Sequence, residues 1–164
     1  MLVCKCGYKR YTKRNSKLGG TCPICKDRLV PCDGRLRHIV ESLNRSDYLV
    51  AFAYCETYTT TGMCTAEIII GFASDYDDFI FQGLPEHFEF ITDKYCNPSQ
   101  YTLNYVLNHL GVPMSMLIFD YSAHPDRSEP ATKVLKDKIE ELSKWALDIE
   151  TTAKWAVYKL GAYL

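Results

Sequence analysis

Four of the eight cysteines fall in two close pairs, Cys4-x-Cys6 and Cys22-x-x-Cys25, with fifteen residues between the pairs. Two pairs at this separation converge as a tetrahedral donor set once the chain between them turns back as a hairpin, and thiolates so spaced take one Zn²⁺. A closed set of four sulfurs leaves no coordination position for water, so the ion supplies folding energy and not catalysis. The alternative is a group of ordinary free thiols. Cys32, seven residues beyond Cys25, fits the spacing less well, and with Cys55, Cys64 and Cys96 it reads as a core or surface thiol. The chain reaches Cys4 without a charged leader or an apolar run, so the expectation is a reducing compartment, the cytoplasm, in which thiols bind metal or sit in cores.

A second group of residues suited to chemistry is Asp120, His124 and Asp126, in and just after an apolar run that reads as a strand. Carboxylate and imidazole there can bind a divalent metal or move protons, which makes a metal-dependent hydrolase or nuclease one functional alternative. Glu56 and Glu67, each close to a buried strand, can join Asp120 across strands as a metal centre; outward-facing positions explain them equally well. A polar, proline-containing surface connection explains His124 and Asp126 too. There is no nucleophile elbow, phosphate-binding glycine loop, dinucleotide fingerprint or His-Glu-x-x-His motif.

Between the cysteine pairs, Tyr8, Lys9, Arg10, Tyr11, Lys13, Arg14 and Lys17 interleave cations with aromatics. Cations neutralise phosphates and tyrosine rings stack on exposed bases, so this finger suits single-stranded or backbone-directed nucleic-acid binding. The other readings are a solvated hairpin, or one that docks on an acidic protein surface. Charge is divided accordingly: residues 1–38 carry ten basic and two acidic side chains, +8, whereas residues 39–164 carry nine basic and eighteen acidic, −9. One end thus faces polyanions, and the body offers an acidic surface for protein contacts.

The elements that must position these groups follow from pattern. Asp33-Gly34 caps a short amphipathic helix with Leu36, Ile39, Val40 and Leu43 on one face, ended by Ser46-Asp47. Apolar runs at 48–55, 65–73 and 114–121 read as strands, the first two joined as a hairpin with a generous loop around 59–62, and shorter β-like pieces lie at 79–82 and 87–92. Asn97-Pro98 opens a helix over 98–110 that Gly111 stops. From Pro130 onward Leu135, Ile139, Leu142, Ala146, Ile149, Ala153, Ala156, Leu160 and Tyr163 follow a 4,3,4,3 spacing, a heptad seam on a long helix at about 130–162. A 3.5-residue period favours another helix as partner, so a homodimer through this helix is expected, with the 98–110 helix as the intramolecular rival; two helices broken near Leu147-Asp148 are the other reading. No apolar run approaches the roughly 20 residues that cross a bilayer, so no membrane association is expected.

The N-terminal segment, with Cys6-Gly7 in its first knuckle and Cys22-Pro23-Ile24-Cys25 as its second, resembles the zinc-ribbon group. Its first knuckle has one spacer residue where two are usual, and Lys26 stands where a glycine often follows the last ligand. The resemblance covers about a fifth of the chain and implies a structural zinc ion on a module found in nucleic-acid machinery and in protein docking alike. The fold expected is α+β: a zinc ribbon over 1–32, then a body over 33–164 with a mixed sheet of four or five strands, flanking helices and the long C-terminal helix. The leading functional expectation is a non-enzymatic protein that engages nucleic acid or a nucleic-acid machine through the finger. A protein-interaction regulator or inhibitor without nucleic-acid binding is a further alternative.

Overall fold

The computed structural model describes residues 1–12, 19–60, 62–76, 81–92, 113–124 and 130–161, with the side chains of 60, 92 and 151–161 set aside. Two small strands, β1 (Leu2–Val3) and β2 (Lys9–Arg10), join β3 (Val30–Pro31) in an antiparallel sheet of order β2-β1-β3. The body follows: a 3₁₀ turn (Gly34–Leu36), α1 (Arg37–Arg45), β4 (Val50–Thr60), β5 (Met63–Phe72), β6 (Phe88–Thr92), β7 (Ser115–Ala123) and α2 (Ala131–Gly161). The α+β class expected from the sequence is therefore observed.

The entry to α1 is built as its sequence requires. Asp33 Oδ1 accepts from the Arg35 backbone N–H at 2.9 Å, covering a donor left open at a helix start. Asp47, with φ 63°, takes the left-handed conformation just past the last turn, while Ser46 N–H returns to the Ser42 carbonyl. Leu36, Ile39, Val40 and Leu43 are all at most 1% exposed, and each such burial contributes roughly 1.5–3 kcal/mol.

The body's sheet has the order β4-β5-β7-β6, and each of its ladders is antiparallel. The parallel element of the expected mixed sheet is confined to one isolated bridge, Cys32 to Ala53. The β4-β5 hairpin is longer and tighter than its sequence suggests. Threonines at 57, 59 and 60 are good strand residues on a pleated surface, and the ladder runs on to Thr60 opposite Met63. Two residues remain for the turn, and Gly62 at φ 80° supplies the left-handed conformation a two-residue connection needs.

Residues 81–82, expected on a strand, lie instead in a turn that Gly83, at φ 70°, continues. Packing explains the difference. The Phe81 ring sits 4.6–5.9 Å from the rings of Tyr48, Phe72, Tyr76, Phe90 and Trp145, and the Gln82 carbonyl accepts from the Trp145 indole N–H instead of from a neighbouring strand. The expected helix over 98–110 lies outside the described residues.

The long C-terminal helix is uninterrupted from Ala131 to Gly161, about 46 Å at 1.5 Å per residue, with no break near Leu147. The first part of its seam is used within the chain. Leu135, Leu142 and Ala146 are buried in the main core, and Ile139 and Ile149 pack against it. Arg45 at the end of α1 clamps Glu150 with two bonds of 2.8 and 3.0 Å. The remaining seam positions, Ala153, Ala156, Leu160 and Tyr163, have no described side chains.

One face of the sheet carries this core. Ala53 and Cys55 of β4, Ala66, Ile68, Ile70 and Phe72 of β5, and Leu117 and Phe119 of β7 pack there under α1 and α2. Val3, Val30 and Cys32 belong to the same core, so the inner side of the N-terminal module is continuous with the body. The opposite face has its own cluster of Phe52, Ile69 and Met116. Gly71 lies between Phe52 and Met116 in the register, and a Cβ there would come within 2.6 Å of the Phe52 ring.

Candidate functional site

The N-terminal hairpins place four sulfurs together. Cys4 Sγ lies 3.3 Å from Cys25 Sγ, Cys6 Sγ lies 3.6 Å from Cys22 Sγ, and all four are within 4.8 Å of one another. A tetrahedron with metal–sulfur bonds of about 2.3 Å has edges of about 3.8 Å, so the cluster has the dimensions of a site that can hold a metal ion. Each knuckle aims backbone donors at sulfur: the N–H of Cys6 at Cys4, those of Ile24 and Cys25 at Cys22, and that of Asp27 at Cys25. Such donors stabilise thiolate, the form that ligates.

As free thiols the members differ. Burial pushes Cys4 up to about 12, whereas at Cys22 the backbone donors outweigh desolvation and bring it down to about 7. Cys4 and Cys22 are buried against Leu2 and Leu29, while Cys6 and Cys25 face solvent. The two oddities of the sequence are accommodated in the backbone. Gly7 turns at φ 89° with its N–H on the Cys4 carbonyl, which closes the short first knuckle. Lys26 adopts φ 66° itself, with its N–H on the Cys22 carbonyl and its ammonium on the Pro23 carbonyl.

The finger residues divide. Lys9 and Arg10 are exposed on β2, at the edge of the small sheet, and Tyr11 is 74% exposed beside them. Arg10 ties the base of the hairpin by donating to the Gly19 carbonyl at 3.2 Å. Tyr8 is half-buried and packs against the Leu2, Cys4, Cys22 and Leu29 cluster. Lys13, Arg14 and Lys17 lie outside the described residues.

Asp120 lies within β7, and His124 follows four residues further along the chain. Four residues of extended chain span roughly 13 Å, and His124 lies just past the end of β7; Asp126 lies outside the described residues. Asp120 stands in a row with the two glutamates: Glu56 of β4 is opposite Glu67 of β5, which is opposite Asp120 of β7. All three are on the face away from the helices, since paired residues of adjacent strands share a face. Glu67, in the middle, is 1% exposed, and its Oε2 has no hydrogen-bond partner among the described residues. Tyr54 donates its hydroxyl to Glu56 Oε2.

Burial first, then the charges of Asp120 and Glu56, push the Glu67 carboxyl up to about 7. The folded state therefore holds this proton more tightly than the unfolded chain does. Its contribution is full below about pH 4.5 and is lost as pH rises through about 7, up to roughly 3 kcal/mol. Urea unfolding in chelator across pH 4.5–8 is expected to show this decline in wild type relative to Glu67→Gln, which cannot titrate. A constant difference between the two proteins would refute it.

Comparison of the chain with protein families, with curated proteins and with solved structures gave no match. Among the described residues no helix is long and apolar enough to cross a membrane.

Proposed function

We propose that the chain is a non-enzymatic zinc-ribbon protein, in which one structural Zn²⁺ on Cys4, Cys6, Cys22 and Cys25 holds a basic finger against nucleic acid or a nucleic-acid-bound assembly. The observation that supports this best is the placement of Lys9, Arg10 and Tyr11 on the outer edge of the cysteine module, whose inner side is anchored in the body's core. A cationic edge held this way meets a phosphate backbone at little ordering cost, and an exposed tyrosine adds a stacking face. Four thiolates without an imidazole or carboxylate select a soft or borderline metal, and Zn²⁺ suits a closed tetrahedral set. The acidic body, −9 over residues 39–164, repels the same polyanion and so restricts its approach to the ribbon end.

Neutralising Lys9, Arg10, Lys13 and Arg14 together is expected to abolish binding to single-stranded RNA or DNA. In wild type, affinity should fall with salt at a slope near −0.7 per phosphate contacted. Fluorescence anisotropy on a labelled oligonucleotide between low and moderate salt measures both. Wild type that shows no salt-sensitive binding refutes the reading and favours a protein-interaction regulator. Turnover of a phosphodiester that Asp120→Asn removes without unfolding would favour a metal-dependent hydrolase instead.

A further inference from the structure

We propose that Glu56, Glu67 and Asp120 bind a hard divalent cation of the Mn²⁺ or Mg²⁺ class on the sheet face opposite the helices. This site is separate from the thiol cluster and independent of the ribbon's role. Three carboxylates abreast on adjacent strands are unfavourable by themselves, because like charges directly opposite one another destabilise a sheet. The central one is also almost fully withdrawn from water and keeps an oxygen with no hydrogen-bond partner among the described residues; when ionised it needs a charge of opposite sign, which a bound cation supplies in place of the proton. Arg35, whose charge is felt at Glu56, is already bound to Asp33 through two bonds and to the Cys55 carbonyl.

The chemistry of the row selects the ion. Its donors are carboxylate oxygens, with no thiol or imidazole in the register, and such sets suit Mg²⁺, Mn²⁺ or Ca²⁺ over zinc or copper. Opposed Cβ atoms on neighbouring strands are about 4.5–5.5 Å apart, within reach of carboxylates that share one ion. Among the described residues, the thiols are the one set of three or more possible ligands already drawn within 4.8 Å of each other, so the carboxylates close on the cation by rotating their side chains. Glu56 and Asp120 are exposed and Glu67 is buried, which gives the ion an entry from solvent and leaves coordination positions for water. On the flanks, Tyr54 fixes Glu56 from one side, and the Thr65 and Ser122 hydroxyls, 2.9 Å apart in the next row, extend the polar strip on the other.

Manganese is the probe, because its free-ion paramagnetic resonance signal disappears on binding and thiolate sites compete poorly for it. Titration of the zinc-loaded protein at pH 7.5 is expected to show one Mn²⁺ per chain, saturating below roughly 1 mM and displaced by Mg²⁺. Glu67→Gln and Asp120→Asn should each bind Mn²⁺ about 10- to 100-fold more weakly. Asp120 is exposed, so Asp120→Asn keeps the comparison valid even if Glu67→Gln disturbs folding, and circular dichroism checks both. Absence of saturable binding by wild type, or equal binding by wild type and a folded Asp120→Asn protein, overturns the proposal.

Discussion

Replacing Cys22 with serine is expected to cost the chain its bound zinc and to unfold the N-terminal module at room temperature. Structural zinc contributes on the order of 10–16 kcal/mol to modules this small, which have little core of their own. Here that core consists of Leu2, Leu29 and two of the ligands themselves, with Tyr8 against them. The loss does not stop at the module. Val3 and Val30, at 0% and 4% exposure, belong to the body's core, and losing both contacts removes about 3–6 kcal/mol from the body as well. Both tryptophans, Trp145 and Trp155, lie on α2, so their fluorescence reports the body. In urea the Cys22→Ser midpoint should therefore fall in tryptophan fluorescence, and chelation of wild type should reproduce the shift. A body whose unfolding is indifferent to the mutation would mean that the shared core carries no energetic coupling.

The second large effect concerns α2. Leu142→Ala is expected to destabilise the protein by about 2–5 kcal/mol, because Leu142 is fully buried at the centre of the part of the seam that packs on the sheet and α1. The cost should be the same at micromolar and at tens of micromolar protein, since this position is satisfied inside one chain. If Leu142→Ala lowers stability only at high concentration, and light scattering shows wild type as a dimer that the mutant loses, the seam at Leu142 belongs to an interface between copies.

The contrast between sequence and structure is clearest at these two places. Ligand spacing is a local property, so the four cysteines were readable from their intervals alone; the 3₁₀ entry of α1 was readable for the same reason, because Asp33 caps its own neighbourhood. The heptad period of α2 was also visible, but a period states only that one face is apolar and not what covers it. That face meets α1 and the sheet, from residues far away in sequence. Phe81 departs from the strand its sequence favours because its aromatic neighbours come from four other segments, which no local pattern contains.

The acidic row was half legible. Glu56, Glu67 and Asp120 each stood out as acids near buried strands, yet only register can say that they are opposite one another, and a one-residue slip would have sent Glu67 to the other face. His124 is close to Asp120 in sequence, whereas register sets Asp120 beside Glu67 and leaves His124 just past the end of β7. In the finger, alternation of Tyr and Lys or Arg suggested a uniform binding strip. Tyr8 packs against the cysteine cluster, half-buried, whereas Tyr11 is exposed to solvent.

The proposed role of the N-terminal module requires one metal ion held by four sulfurs. Native mass spectrometry of protein expressed without added metal and kept reduced tests this most directly, with the denatured mass as reference. The expected result is a folded species heavier by one zinc ion and lighter by the four thiol protons displaced by ligation. A folded species with no metal, or one lighter by four hydrogens through disulfides such as Cys4 to Cys25 and Cys6 to Cys22, would contradict it.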